Sequence, residues 1–89
     1  MLKASRLRAR PGMSGQELED LRMSSRRFAY GGLHMRYALA LGLNGDPAGA
    51  SRQMAIIRGM YGDFYYRAAV GVLREEQEKY PELGKVVVP

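Results

Sequence analysis

The side chains best suited to chemistry gather between positions 61 and 67, where Tyr61, Tyr65 and Tyr66 stand beside Arg67. Tyrosines interleaved with arginine can stack on bases or on sugar rings. The same spacing also suits tyrosines at a helix junction, with Tyr61 and Tyr65 in the core and Tyr66 partly exposed, and this plainer reading is preferred. His34 is the only histidine, so no His-based dyad can be drawn and no zinc site with a second imidazole. It reads as a polar residue at a helix start. Glu75, Glu76 and Glu78 lie too close together on one exposed helix to serve as acid and base across a substrate, and such a charge run reads as a solvated face. Gly42, Gly45 and Gly49 invite comparison with a phosphate loop, but no strand precedes them and no Gly-Lys-Ser/Thr follows, so they read as helix punctuation. No catalytic, metal-binding or cofactor-binding residue is expected.

The elements that would carry these residues are helical. An 89-residue chain has room for one domain with one core. With 46% hydrophobic and 26% charged residues it belongs among folded globular chains. It has no cysteine, so its stability must come from packing or from attachment to something larger. The longest apolar run, Tyr37 to Leu43, is far short of the roughly 20 residues of a spanning helix, and no apolar stretch follows the basic N-terminus. Neither a membrane span nor a secretory signal is expected within these residues.

Residues 1–12 mix basic and small residues and end in Pro11-Gly12, the pattern of a flexible basic arm, with a single helical domain over 13–89. A first helix begins where Ser14 and Glu17 can form a capping box, with Met13 and Leu18 placed as a hydrophobic staple. Leu18, Leu21, Ser25 and Phe28 continue it as a narrow buried stripe, and Tyr30-Gly31-Gly32 ends it. A second helix over 33–43 stops at Asn44-Gly45, where glycine can take the left-handed cap conformation. Asp46 then caps a third helix with Pro47 in its first turn and Ala50, Met54, Ile57 and Tyr61 along one face. The short turn Asn44, Gly45, Asp46, Pro47 predicts an antiparallel hairpin. Gly62-Asp63 begins a fourth helix over 64–80, with Tyr65, Ala69, Val72, Glu76 and Tyr80 near one face. Pro81 stops it, and the valine-rich tail is expected to lie extended across a helical surface. The fold expected is all-α: antiparallel helix hairpins, about four helices in number.

Charge is uneven. Residues 1–36 carry eight Lys and Arg against three acidic residues, whereas residues 37–89 carry six of each, so the net charge of +5 belongs to the N-terminal third. Partners drawn by charge alone would meet the chain there, either nucleic acid or anionic lipid headgroups touched by the basic arm.

The run from Leu33 to Met54 resembles one tetratricopeptide-like hairpin, with Ala38 and Ala50 at small positions and Asn44-Gly45-Asp46 at the turn. A longer pattern, Arg36-Tyr-Ala-Leu-Ala-Leu-Gly-Leu-Asn-Gly-Asp-Pro47 with Arg58-Gly-Met-Tyr61 and Lys79-Tyr-Pro-Glu-Leu83 before a Val-Val-Pro ending, resembles the C-terminal domain of bacterial membrane-bound O-antigen polymerases and pilin-glycan ligases. That resemblance covers about the last two thirds of the chain. It implies a tetratricopeptide-like helical appendage of a membrane glycosyltransferase on the periplasmic side of the inner membrane, without catalytic residues of its own. The membrane helices and catalytic loops of that family lie outside this pattern, so an excised domain or a truncated frame is the expectation. A free-standing basic helical protein that binds nucleic acid through its N-terminal third is the alternative.

Under the first reading the partner is the rest of such a polymerase or ligase, another protein, or a second copy of the chain. Met35, Leu39, Ile56 and Met60 fall on faces other than the Tyr37, Leu41, Met54 and Ile57 stripe, so an exposed apolar patch is expected. Met35, Leu39, Ile56, Met60, Tyr65, Tyr66 and Arg67 are the candidate interaction residues.

Overall fold

The computed structural model describes residues 8–27 and 31–88. Among these the chain is all-α, with α1 at Gly15–Arg27, α2 at Gly31–Leu43, α3 at Pro47–Lys79, a 3-10 turn at Pro81–Lys85 and no strand. Residues 1–7, Phe28 and Tyr30 lie outside the described residues.

α1 starts on the expected capping box. The Glu17 amide donates to Ser14 Oγ at 3.1 Å, and the Ser14 amide donates back to Glu17 Oε1 at 3.0 Å, so two amides that a helix start leaves without partners are satisfied. Met13 and Leu18 pack in one cluster with Leu21, which fixes the angle at which the chain enters the helix. Leu21, Ser24 and Ser25 form the buried face. Small serines on that face let α1 lie close against α2.

α2 is the centre of the molecule. Its two sides serve two clusters: Met35, Ala38 and Leu43 pack with residues of α3 and the tail, while Tyr37 and Ala40 pack with Leu21 and Met13. A helix apolar around its circumference must be covered on all sides, and here α1 covers one flank and α3 the other.

The turn between them is built as expected. Gly45 has φ 88, the Asp46 amide donates to the Leu41 carbonyl at 2.9 Å, and Asp46 Oδ1 accepts the Gly49 amide at 2.9 Å as the cap of α3. A Cβ on Gly49 would collide with that capping carboxylate, so glycine there serves the close approach. Asn44 reaches further than a turn residue. Its Nδ2 donates to the carbonyls of Arg10 and Ala40, and its Oδ1 accepts the Met13 amide at 2.9 Å. The end of the segment expected to be a flexible arm is thus tied to the α2–α3 turn across more than thirty residues.

The expected third and fourth helices form one element, α3, in which Gly62 alone has non-helical angles (φ 83, ψ 176). A straight helix of this length would run about 50 Å, yet the molecule measures only 28 × 27 × 18 Å. The chain therefore bends at Gly62, and Met54 and Ile57 before the bend share a core with Tyr66, Ala69 and Leu73 after it.

The bend also resets which face is buried. Tyr66, Ala69 and Leu73 are buried, whereas Val72 is 42% exposed. The face expected to be core, Tyr65 to Tyr80, is rotated by about one residue toward the surface.

The tail also departs from expectation. Residues 81–85 coil into a 3-10 turn that drives Leu83 fully into the core, and only from Val86 onward does the backbone extend. Ser51 Oγ accepts the Val87 amide at 2.9 Å, and Gln77 Nε2 donates to the Leu83 carbonyl at 3.2 Å. Leu83 and Val86 lie directly on Gly42, where an added Cβ would come within 2.7 Å of Leu83 and 3.1 Å of Val86. Gly42 is thus a contact residue for the tail and not helix punctuation.

Gly62 occupies a backbone region essentially reserved for glycine, so Gly62→Ala should lower unfolding free energy by about 1–3 kcal/mol. Gly59 is exposed with nothing near its Cβ position, and Gly59→Ala should be neutral or stabilise by up to about 1 kcal/mol. Urea denaturation of both variants checks this, and equal loss in the two would contradict the bend.

Candidate functional site

An open groove of about 600 Å³ lies between α2 and the part of α3 that follows Gly62. α2 contributes Gly32, Met35, Arg36 and Leu39, one stripe at helical spacing. α3 contributes a second stripe that starts at Tyr65 and the two alanines Ala68 and Ala69, continues through Val72 and Glu76, and ends at Lys79 and Tyr80. Arg8 and Ala9, anchored nearby through the Asn44 bond to Arg10, close one end. The lining mixes apolar side chains with Arg8, Arg36, Glu76 and Lys79, the last two 3.8 Å apart.

The candidate residues divide over this surface. Met35, Leu39 and Tyr65 come together in the groove. Met35 is only 7% exposed, so it supplies groove wall and core at once and is not the open patch residue expected. Ile56 and Met60 are 43% and 52% exposed on the stretch before the bend, away from the groove. Tyr66 is buried and Tyr65 half-buried, the reverse of the expected assignment, because Tyr66 and not Tyr65 shares the stripe of Ala69 and Leu73 that faces the core. Arg67 is exposed and does not line the groove. Phe64, which the sequence analysis did not single out, is 92% exposed two residues after Gly62. A large aromatic two residues past a glycine break is the signal that could have found it.

Tyr66 is held from across the bend. The Arg58 guanidinium lies 5.5 Å from its ring centroid, and Arg58 Nε bonds Asp63 Oδ1 at 3.1 Å. Burial pushes the Tyr66 hydroxyl above its usual range, and the Arg58 charge pulls partly the other way. Both partners in the Arg58–Asp63 pair are well exposed, so its contribution is small. Its effect is to favour one geometry at the bend.

His34 is the unusual polar group. Expected as a polar helix-start residue, it is 5% exposed, and neither ring nitrogen meets a hydrogen-bond partner. Its ring stands edge-on to Tyr61 at 5.8 Å, and Tyr61 in turn tilts against Tyr65 at 5.0 Å. The Tyr61 hydroxyl is likewise buried without a partner. Burial holds the His34 imidazole below its ordinary range; the Gln53 side chain, near the ring but outside hydrogen-bond geometry, opposes this only in part. The ring is therefore neutral at pH 7, and its aromatic chain leads to the groove through Tyr65.

Near the N-terminus, the Arg10 and Ser14 bonds hold the Glu17 carboxyl below the usual range, and Arg22 does the same for Glu19. Two arginines of the basic third are thus engaged in ion pairs within the fold. Among the described residues there is no group of three or more metal-ligating side chains, and no helix is long and apolar enough to cross a membrane. No protein-family model, curated protein or solved structure matches the chain.

The His34 environment sets a pH dependence. Because the folded-state imidazole titrates below the ordinary value of 6.5, the unfolded chain takes up a proton first as pH falls through that value, and stability is lost below it. Melting temperature should therefore fall between pH 7.5 and 5, above the range in which Glu17 and Glu19 titrate. His34→Phe, which keeps the edge-on ring contact, should flatten the slope. A wild-type melting temperature constant over that interval would contradict the assignment.

Proposed function

We propose that this chain is a non-catalytic docking domain that acts through the groove between α2 and the second part of α3. The observation that carries the reading is the groove itself: two helical stripes of largely apolar residues, open among the described residues beside a well-packed core. The polar residues that line it are Arg8, Arg36, Tyr65, Tyr80 and the Lys79–Glu76 pair. These suit recognition, and they do not assemble a nucleophile with its base.

On this reading the α2–α3 hairpin corresponds to one tetratricopeptide-like unit, and the domain is an appendage of a membrane-bound glycan polymerase or O-oligosaccharyl ligase on the periplasmic side of the inner membrane. The sequence pattern at 36–47, 58–61 and 79–83 supports that assignment. Its partner is the remainder of such an enzyme or a protein associated with it. The ion pairs of Arg10 and Arg22 with Glu17 and Glu19 favour this reading over nucleic-acid binding through the N-terminal third, since they reduce the charge available to phosphates.

A photo-reactive residue placed at Leu39 or Val72, in the native host, tests the reading. Both positions should form adducts whose peptides belong to a membrane glycan enzyme, while the same group at exposed Arg26 on α1 should not. Absence of groove adducts, or equal yield from Arg26, would overturn the docking role. Adducts confined to an unrelated protein would overturn the glycan-enzyme assignment.

A further inference from the structure

Past the Gly62 bend, α3 carries a second face that the groove does not use. Phe64, Arg67, Gly71, Arg74 and Glu78 recur at three- and four-residue spacing with Glu75 beside them, so they form one stripe along the helix. All are exposed, Phe64 by 92%. They lie on the far side of the helix from Tyr66, Ala69 and Leu73, which pack into the core, and none of them lines the groove.

The charges on this stripe are not used inside the fold. Glu76 pairs with Lys79 on the groove side and Asp63 with Arg58 at the bend, whereas Arg67, Arg74, Glu75 and Glu78 have no ion pair among the described residues. Gly71 sits in the middle, and a Cβ added there would meet nothing within 4 Å. Alanine would fit the fold and favour the helix. What glycine allows at that point is the close approach of another backbone.

The order of the charges decides which partner fits. Arg67 stands four residues before Gly71 and Glu75 four residues after it. When two copies of the stripe cross antiparallel at Gly71, each Arg67 falls opposite the other copy's Glu75, about 6 Å along the axis from the crossing. One two-fold axis makes both pairs at once, as a closed dimer of identical chains requires. Phe64 and Glu78, seven residues to either side of Gly71, come opposite each other in the same way, so the exposed ring is covered by the far end of the second helix. A parallel crossing would set Arg67 against Arg67 and Glu75 against Glu75, which is repulsive. Phosphates, whether of nucleic acid or of an anionic bilayer, would meet Glu75 and Glu78 along with the arginines, and the carboxylates oppose them.

We propose that the chain pairs with a second copy of itself, antiparallel through this outer face of α3, with Gly71 at the crossing and Arg67 against Glu75 in both directions. The surface is separate from the groove and leaves it open. One helix face per chain falls in the class of small, reversible interfaces, below about 1,200 Å², so the dimer forms only at high concentration.

Sedimentation equilibrium of the full chain at low ionic strength tests this. The mean mass should rise from one chain toward two between about 10 µM and 1 mM. Arg67→Glu and Glu75→Arg, both at exposed sites, each place like charges at both contacts and should weaken the dimer about tenfold or more, with unchanged circular dichroism spectra. An equimolar mixture of the two variants should restore association, because every altered side chain then meets its opposite charge on the other chain. Gly71→Gln should also weaken the dimer, while Gly59→Gln, at an equally open site before the bend, should not. A chain that stays monomeric throughout, a dimer that Arg67→Glu leaves intact, a mixture that does not associate, or equal loss in Gly59→Gln and Gly71→Gln would each overturn the proposal.

Discussion

α2 is the constraint on which the rest of the fold depends. Leu33, Met35, Tyr37, Ala38 and Ala40 are all buried, and they point to both sides of the helix. Burial of each large side chain among them is worth about 1.5–3 kcal/mol, so a stable fold must supply cover on two flanks from a short chain. α1 supplies one, with Leu21 at its centre. The other is supplied by α3, and a straight α3 would leave much of its length without contact. The bend at Gly62 brings Tyr66, Ala69 and Leu73 back to the core that Met54 and Ile57 began. The 3-10 turn then places Leu83 and Val86 on Gly42, where the absence of a side chain gives the tail its seat. Asn44, bonded to Arg10, Met13 and Ala40, joins the two flanks at one end.

The groove follows from that arrangement. α3 after the bend shows its buried face to the core but lies beside α2 with a second, partly apolar face outward, and among the described residues no further helix covers the region between Leu39 and Val72. The candidate site is thus the remaining uncovered part of the surface that organises the fold. The aromatic series from His34 through Tyr61 to Tyr65 gives this face a polar weak point, since a protonated His34 would put charge into the layer behind the groove wall.

Much of the architecture was legible in local sequence. Ser14 with Glu17, Gly45, and Asp46 with Pro47 are devices whose geometry is decided within four residues, and each appears as the residue types require. The buried face of α3 before the bend, Ala50, Met54 and Ile57, was equally readable from its spacing. The break at Gly62 was readable as well, and Gly62 takes φ 83 there. The face that the following stretch turns to the core was not, because Tyr65, Tyr66, Ala69, Val72 and Leu73 offer two apolar stripes one residue apart: Tyr66, Ala69 and Leu73 became core, and Tyr65 to Tyr80 became groove wall. Asn44 and Gly42 act through partners more than thirty residues away in sequence, which periodicity does not register. Of the candidate interaction residues, Met35, Leu39 and Tyr65 meet in the groove because they belong to the two helices that flank it. Ile56, Met60 and Arg67 do not line it, and Phe64, two residues past the Gly62 break, was passed over.

The bend at Gly62 is therefore the claim to test most directly, because both the two-sided cover of α2 and the groove depend on it. The chain has no cysteine, so a pair of spin labels can be placed without background at Arg52 and Gln77, and their separation measured by double electron–electron resonance. A continuous straight helix would put these two positions about 38 Å apart. The account predicts a single narrow distribution well short of that value, whereas a distribution centred near the straight-helix distance would contradict it.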